Sequence, residues 1–392
     1  MIDPLFAIGI LVAVFVGYNI GGSTTGPAFG PAVGADVISK VAAAALFSIS
    51  FAVGAVTIGP EVIDTLSDGI IDGEGVFTLR SGVAVLFFIG LALFVGNIFG
   101  VPASTSMTTV GAIAALAQAA GALDWAVLGE IVIWWIVAPI IGFWVSGVIG
   151  RYLYPKLNRM VAIDASEGPV IEVDTSGTIP RIVRGPGTTR RELTGVTVVV
   201  AIGCLMAFAS GTSNVANAVA PLVGSGDLEV GAAVVIGSAA VALGSFTIAR
   251  RTLDTMGSDI TALPLTAAII VASVSSILTV GLSAIGIPAS FVIIATMSII
   301  GLGWGRATRT ATAVGGMRGE ESTTVSVGSL AGDEEGEELP EIGEEEPEDI
   351  PAASELFNPS TTARVVIMQN VVPIISTLGA YLTFRFVPIF GL

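Results

Sequence analysis

Long apolar stretches separated by short polar breaks dominate this chain. A bilayer core requires about 20 apolar residues for each spanning helix. Ten stretches approach that length, near residues 4–20, 37–59, 81–99, 104–122, 126–149, 194–210, 230–249, 260–282, 285–304 and 363–387. The pattern predicts an all-α polytopic membrane protein with ten to twelve membrane segments.

Short polar motifs interrupt the apolar stretches, and they occur twice in the same order. The motif at 100–104 recurs at 286–290 with one conservative change. Three further pairs keep that order, namely 17–34 with 211–226, 64–65 with 254–255, and 131–141 with 365–375. Doubled segments with polar, helix-breaking backbone in matching places are typical of secondary transporters built from two repeats. The motifs therefore predict broken or re-entrant helices at the midplane of the membrane.

The number of segments and the distribution of charge predict that the two repeats are inverted. About five segments per half is an odd number, so the second half begins on the opposite side of the membrane. With the N-terminus outside, the basic residues of the central loop, Arg250–Arg251 and the basic residues of 306–318 all fall inside, as the positive-inside rule requires. Residues 60–79, with five acids and no base, then fall outside. We expect a multi-pass protein of the cell membrane with both termini outside.

These features divide the chain into five parts. They are a first repeat at 1–151, a cytoplasmic loop at 152–193, a second repeat at 194–314, an acidic disordered insert at 315–360 and the last helix at 361–392. Within the loop, residues 171–174 and 182–183 are expected to form a short hairpin or no fixed structure. The insert is read as a solvated cytoplasmic segment, with a regulatory or partner-binding arm as the alternative.

Composition agrees with a membrane protein and excludes several kinds of chemistry. The chain is 53% hydrophobic and 12% charged, whereas soluble domains carry about 25% charged residues. It has no histidine, which excludes Ser-His and Cys-His pairs and His-ligated metals. Its single cysteine, Cys204, excludes an intrachain disulfide. We find no acid-base pair in the spans and therefore expect no enzymatic activity and no cofactor.

The net charge of −16 is unevenly distributed. Fourteen of the 32 acids lie between Glu320 and Glu355, and lysine occurs only at positions 40 and 156. An acidic, lysine-poor chain is typical of a high-salt organism such as a halophilic archaeon, because screening tolerates like charges there. Nucleic acid is not an expected partner.

Residues 21–27 are the first candidate for a binding site. Glycine costs about 1 kcal/mol and proline about 3 kcal/mol in a helix, so we expect Gly21, Gly22 and Pro27 to break the first span. A broken helix presents unpaired N–H groups and the positive end of its dipole, which suit an anion. The hydroxyl groups of Ser23 and Thr24 add donors without adding charge.

Residues 102–109 are the second candidate. Proline is favoured in the first turn of a helix, so we expect a helix to begin at Pro102. Five hydroxyl residues follow, at positions 104, 105, 106, 108 and 109. Their side chains and the free N–H groups would form a pocket for a tetrahedral oxyanion. The alternative is structural, because small and hydroxyl residues also allow membrane helices to approach closely.

At these motifs the chain resembles the inorganic phosphate transporter family, also described as phosphate/sulfate permeases. The second signature of that family, of the form AFxHGxNDVANAxGP, resembles residues 207–221. Its Gly-Leu-Pro-Val-Ser-Thr-Thr-His pattern resembles residues 100–107, and its TVGxxIT element resembles residues 254–261. The resemblance covers nearly all of the membrane part. It implies a transporter of phosphate or a related oxyanion, sodium as the coupling ion, and a homodimer.

The chain departs from the family where the family carries charge. The Asn-Asp pair of the first half reads Asn19-Ile20, and that of the second half reads Ser213-Asn214. The family's histidines are replaced by Ser210 and Met107. Carboxylates are the usual intramembrane ligands of cations, so coupling here must use neutral oxygens or differ from that of the family. The loss of acceptors also keeps fully ionised sulfate open as a substrate.

The motifs and the resemblance together predict the roles of ten residues. The predicted substrate ligands are Ser104, Thr105, Ser106, Ser290, Ser213 and Thr24. The predicted cation ligands are Asn19, Ser23, Asn214 and Asn217. The first hypothesis is alternating-access symport of phosphate or a related tetrahedral oxyanion, with sodium. Two alternatives remain: a permease or channel for sulfate or another solute with altered or no cation coupling, and a non-transporting sensor.

Overall fold

The computed structural model describes ten stretches of the chain. They are residues 3–34, 38–73, 75–98, 104–154, 156–157, 171–174, 181–184, 189–249, 265–310 and 359–387. The acidic insert at 315–360 lies outside the described residues, apart from its last two positions, and so does the element at 254–261. The described residues are almost entirely helical, which confirms the predicted all-α class.

The first half of the chain contributes six helices. They are α1 (Pro4–Gly34), α2 (Lys40–Thr57), α3 (Gly59–Asp64), α4 (Leu79–Ile98), α5 (Thr105–Ala120) and α6 (Trp125–Val148), with π-helical turns at Thr65–Gly69 and Ile149–Leu153. Helix α3 lies in the predicted outer loop. It forms because Val62, Ile63 and Leu66 are buried.

The second half contributes five helices and is preceded by a hairpin. The helices are α7 (Arg190–Gly224), α8 (Val230–Thr247), α9 (Leu265–Ala284), α10 (Phe291–Thr310) and α11 (Pro359–Phe386). Strands β1 (Ile171–Asp174) and β2 (Arg181–Arg184) pair antiparallel, with Val173 opposite Ile182. The hairpin that the sequence left open is therefore formed.

Seven of the described helices are long and apolar enough to cross a membrane. They are α1, α2, α4, α6, α7, α8 and α9. Residues Phe291–Arg306 of α10 form a shorter apolar helix, and α5 has 16 residues. The N-terminal ends of both helices are buried in the protein, since Ser104 is 0% and Ser290 is 7% exposed. These two helices, rather than α1, begin inside the bundle.

The predicted break in α1 is wrong. The helix continues from Pro4 through Gly34, and α7 likewise continues from Arg190 through Gly224. Hydroxyl groups in this part of α1 are satisfied within the helix, because Thr24 donates to Ile20 O at 2.7 Å and Thr25 donates to Gly21 O at 2.7 Å. Close packing through Gly21 and Gly22 then offsets the poor helix propensity of this segment.

The starts of α5 and α10 have the same construction. Ser104 is the N-cap of α5 and accepts from Met107 N at 3.3 Å, and Ser290 accepts from Ile293 N at 3.5 Å. A serine N-cap satisfies one of the otherwise unpaired N–H groups of the first turn. Pro288 lies before the cap rather than in the first turn, and Pro102 lies outside the described residues. The repeated motif thus marks two helix starts, with the proline two residues before the cap in the second half.

The two halves pack on each other reciprocally. Helix α1 packs on α8 as α7 packs on α2, and α6 packs on α10 as α11 packs on α5. A Cβ atom at Gly21 would overlap the carbonyl of Val241, and one at Gly211 would overlap the carbonyl of Phe51. Gly21 and Gly211 are 190 residues apart in the chain, and so are the partners Phe51 and Val241. An offset of 190 residues matches Ser23 with Ser213 and Thr24 with Asn214. The resemblance had instead matched Ser213 with Asn19, four residues before Ser23.

Candidate functional site

Three elements bring buried polar side chains together in the interior. The start of α5 contributes Thr105 and Ser106, the middle of α7 contributes Ser213, Asn214 and Asn217, and the extended segment before α10 contributes backbone carbonyls. These five side chains are at most 9% exposed. We call this group the central site.

The carbonyl of Ala289 connects α5 and α7 at the central site. It accepts from Ser106 Oγ at 2.9 Å and from Ser213 Oγ at 3.0 Å. The preceding carbonyl, that of Pro288, accepts from Trp135 Nε1 at 2.8 Å. An extended segment has no helical partners for its carbonyls, so side chains from α5, α6 and α7 satisfy them. The start of α10 is therefore held by donors from three other helices.

The asparagines of α7 form a second part of the site. Asn214 Oδ1 accepts from Thr105 Oγ1 and from Asn217 Nδ2, the latter at 3.1 Å, and Asn214 Nδ2 donates to Ser210 Oγ at 2.9 Å. The second amide of this pair, Asn217, is 0% exposed, and its Oδ1 has no hydrogen-bond partner among the described residues. A buried acceptor without a donor is costly, so this oxygen is the best candidate to meet a cation or a proton of the substrate.

The central site is polar but carries no fixed negative charge. Its side chains are hydroxyls and amides, and the described residues contain no group of three or more His, Cys, Asp or Glu placed to hold a metal. The N-terminal ends of α5 and α10 add partial positive charge and free N–H groups. This combination suits an oxyanion, with neutral oxygens available to a weakly held cation.

The predicted α1 residues lie in other contacts. Asn19 Nδ2 donates to Phe15 O at 2.8 Å, and Asn19 Oδ1 accepts from Asn97 Nδ2 at 2.9 Å. Ser23 and Thr24 both donate to Ile20 O. Among the hydrogen bonds of the described residues, none joins these three to the asparagines of α7. The structure thus gathers Thr105, Ser106, Ser213, Asn214 and Asn217 and leaves the α1 candidates apart.

The two cap serines flank the site rather than join its hydrogen bonds. Ser104 and Ser290 accept from the N–H groups of their own helices. Ser290 also lines a small cavity, with room for about one water molecule, between α6, α9 and α10. The cavity is otherwise lined by Met107, Trp134, Trp135, Ala138, Pro139, Leu282, Ala289, Ile293 and Ile294.

Sequence reasoning missed two contributors to this region. The carbonyl of Ala289 has no sequence signal of its own, since any residue supplies a carbonyl. The indole of Trp135 had a usable signal, because it lies four residues before Pro139 in a run that is repeated in the second half. The pairing of Asn19 with Asn97 was also missed, since it joins residues 78 apart.

Comparison with known proteins gives consistent matches. Residues 20–331 match the phosphate transporter family. The chain is 33% identical over 264 residues to the sulfate permease CysP of Bacillus subtilis, covering 67% of each chain. It is 28% identical over 334 residues to a putative phosphate permease of Helicobacter pylori, covering 68% of this chain and 62% of that protein.

A solved structure shares the fold. It is described as the sodium-dependent phosphate transporter and superposes with a TM-score of 0.64 at 17% identity. The match covers 98% of this chain and 100% of that chain. The two proteins therefore share the arrangement of their helices.

Proposed function

The chain belongs to the phosphate transporter family, and from this premise we propose that it carries inorganic phosphate, or a related tetrahedral oxyanion, across the cell membrane. The observation that supports this most is the meeting of α5, α7 and α10 at the central site, where two helix starts and buried hydroxyls surround one point. The reciprocal packing of the two halves supports alternating access, in which inverted repeats rock against each other around that point.

Sodium is the proposed coupling ion, and neutral oxygens are its proposed ligands. Asn217 Oδ1 lacks a donor in the interior, and Asn214 Oδ1, Ser106 Oγ and the carbonyl of Ala289 belong to the same hydrogen-bonded group. Hard cations accept carbonyl and amide oxygens as ligands. A site on α7 has no amide counterpart in α1, because the packing register matches Asn217 with Pro27. We therefore place the cation at Asn217 and its hydrogen-bonded neighbours, and not at the matching position of α1.

Sulfate is the second candidate substrate, and the absence of charge from the site favours it. A sulfate dianion needs donors only, and the hydrogen-bonded members of the central site include no carboxylate. The similarity to a sulfate permease is compatible with this candidate. Phosphate remains first because the family model that matches most of the chain is that of phosphate transporters.

Removing two of the proposed ligands tests the assignment. The double variant Ser104→Ala, Asn214→Ala loses the cap of α5 and the amide that holds Thr105. Each neutral hydrogen bond contributes about 1 kcal/mol, so we expect the loss of two to raise the KM for phosphate about 30-fold in proteoliposomes. The matched control is Ser48→Ala, Asn19→Ala, which removes a hydroxyl and an amide outside the central site. Unchanged uptake by the first variant would contradict the assignment.

The proposed orientation places both termini outside. Cys204 is the only cysteine, so Cys204→Ala gives a background without thiols. In that background we expect Asp72→Cys to react with a membrane-impermeant maleimide in intact cells, and Thr189→Cys to react only after permeabilisation. Both positions are exposed. The reverse labelling pattern would show that both termini lie inside, and labelling of both positions in intact cells would contradict the proposed orientation.

The homodimer that the resemblance implies stays a prediction.

A further inference from the structure

Gln369 is a buried polar side chain of α11 and is followed by the exposed Asn370. It is 7% exposed, and its Nε2 has no hydrogen-bond partner within the part of the chain that the structure describes. One turn further along, Val372 is 1% exposed. Burying an amide donor without an acceptor is unfavourable, so its presence here indicates a ligand that supplies an acceptor.

The repeated proline run places Gln369 in a register shared with Trp135. Gln369 lies four residues before Pro373, and Trp135 lies four residues before Pro139. Helix α11 packs on α5 as α6 packs on α10. Trp135 Nε1 donates to the carbonyl of Pro288, immediately before the capped start of α10. The matching position on α11 therefore lies near the N-terminal end of α5, as Trp135 lies near that of α10.

Contacts along α11 support the same placement. A Cβ atom at Gly111 would lie 3.7 Å from the carbonyl of Pro373, and one at Gly379 would lie 2.8 Å from the ring of Phe88. Phe88 lies further from the α4–α5 connection than Gly111 does, so α11 runs parallel to α5. Thr377 is the residue nearest to Gly111, so two turns back from Thr377 brings Gln369 to the level of the start of α5.

The other donors at the start of α5 are already engaged. Thr105 Oγ1 donates to Asn214 Oδ1, and Ser106 Oγ donates to the carbonyl of Ala289. In contrast, the amide nitrogen of Gln369 has two N–H groups, and neither has an acceptor among the described residues. It also differs chemically from its counterpart Trp135, since an indole has one N–H and an amide has two. The start of α5 therefore has an amide donor with two N–H groups nearby, whereas the start of α10 has an indole with one.

We propose that Gln369 is a specificity-determining ligand, whose Nε2 donates directly to an oxygen of the oxyanion bound at the start of α5. This inference rests on the proposed function. The anion would meet the N–H groups of α5 from one side and the amide of α11 from the other. The amide carries no charge, so it orients an oxygen of the anion without favouring one charge state of the substrate.

Two substitutions and a matched pair of controls test this. Gln369→Leu keeps the approximate volume and removes both donors, and Gln369→Glu keeps the shape but repels an anion when ionised. The controls are Gln118→Leu and Gln118→Glu, the same changes at an exposed position near the end of α5. Uptake of labelled phosphate and sulfate into proteoliposomes is measured at pH 5.5 and 8, each as a ratio to wild type.

We expect the KM for both anions to rise about tenfold in Gln369→Leu at both pH values, with the controls within twofold of wild type. In Gln369→Glu the KM is expected to rise more at pH 8 than at pH 5.5, because a larger share of the carboxyl groups is protonated at the lower pH and the protonated form donates a hydrogen bond. A purely structural role for Gln369 would not produce this dependence on pH.

The opposite results are also decisive. A KM within twofold of wild type for both folded variants at both pH values would overturn the assignment of Gln369. If neither variant folds, stabilisation of Gln369→Asn by phosphate is compared with that of wild type, and an equal shift of the melting temperature overturns it. Failure of wild type to take up either anion would instead overturn the proposed function, and this inference with it.

Discussion

Replacing Gly211 by alanine is expected to destabilise the bundle, although the change adds a single methyl group. A Cβ atom at this position would overlap the carbonyl of Phe51 and lie 3.0 Å from Ala55 N. Backbone atoms of α2 cannot rotate away as a side chain can. Overpacking costs about 1–3 kcal/mol in a core, and the upper end is expected here. The melting temperature of the purified protein in detergent measures the effect.

The same crossing occurs in reciprocal form, so the prediction extends to three other glycines. Gly54 approaches the carbonyl of Phe208, Gly21 that of Val241, and Gly244 that of Tyr18. Alanine at any of these positions separates α1 from α8, or α2 from α7. We expect Gly211→Val to abolish assembly, because a branched side chain forces the helices further apart.

Gly281→Ala is the matched control. It lies within α9, is exposed, and has nothing within 4 Å of the position that an added methyl group would take. Alanine is favoured over glycine in a helix by about 1 kcal/mol, so this variant is expected to melt at a slightly higher temperature. A Gly211→Ala protein as stable as wild type would contradict the close crossing of α2 and α7.

The second large effect is expected at Asn217. Asn217→Ala removes the unpaired Oδ1 and the bond from Nδ2 to Asn214 Oδ1. A hydrogen bond or polar contact to a charged group contributes about 1.5–3 kcal/mol, so sodium-driven uptake is expected to fall by up to about 100-fold. The initial rate of phosphate uptake against sodium concentration measures this.

Asn217→Asp distinguishes the two uses of that oxygen. If Oδ1 binds sodium, the added negative charge lowers the sodium concentration at half-maximal uptake, since a carboxylate attracts a cation more strongly than an amide does. If Oδ1 accepts the proton of phosphate instead, the charge repels the anion and raises its KM without changing the sodium dependence. We expect the first result.

Asn19→Asp is the control for that experiment. The oxygen of Asn19 already accepts from Asn97, and its amide nitrogen donates to Phe15 O. The sodium dependence of uptake is therefore expected to stay unchanged in this variant. A shift as large as that of Asn217→Asp would place the cation between α1 and α7, as the sequence predicted for Asn19.

The start of α5 was predicted from the sequence to within three residues, because local chemistry decides it: we expected the helix to begin at Pro102, and it begins at Thr105. Ser104 and Ser290 follow a proline by two residues in both halves, and a serine at that point is a strong N-cap signal. Both residues are N-caps in the structure. The repeat also located α11 correctly from its resemblance to α6, through Pro139 and Pro373.

The continuity of α1 was not predictable from local propensity. Gly21, Gly22 and Pro27 favour a break, but the packing of Gly21 against the backbone of α8 is a tertiary interaction between residues 220 apart in the chain. Thr25 makes another such contact, donating to Ser245 Oγ at 2.9 Å. Propensity is a weak preference that tertiary packing overrides, as it does in this segment.

The composition of the central site was predictable in part. Hydroxyls on α5 and amides on α7 were identified from motifs, and they meet in the structure. The residues of α1 that match Ser213 and Asn214 were assigned wrongly, because short glycine-rich segments align in more than one register. Only the glycine contacts across the helix crossings show which register the fold uses.

The most direct test of the proposed function is uptake of labelled phosphate and labelled sulfate into proteoliposomes, each with and without an inward sodium gradient. Potassium replaces sodium at constant ionic strength, so that any effect of salt on an acidic protein is held fixed. We expect saturable phosphate uptake that rises with the sodium gradient. Uptake that is indifferent to sodium, or the absence of saturable uptake of either anion, would contradict sodium-coupled oxyanion transport.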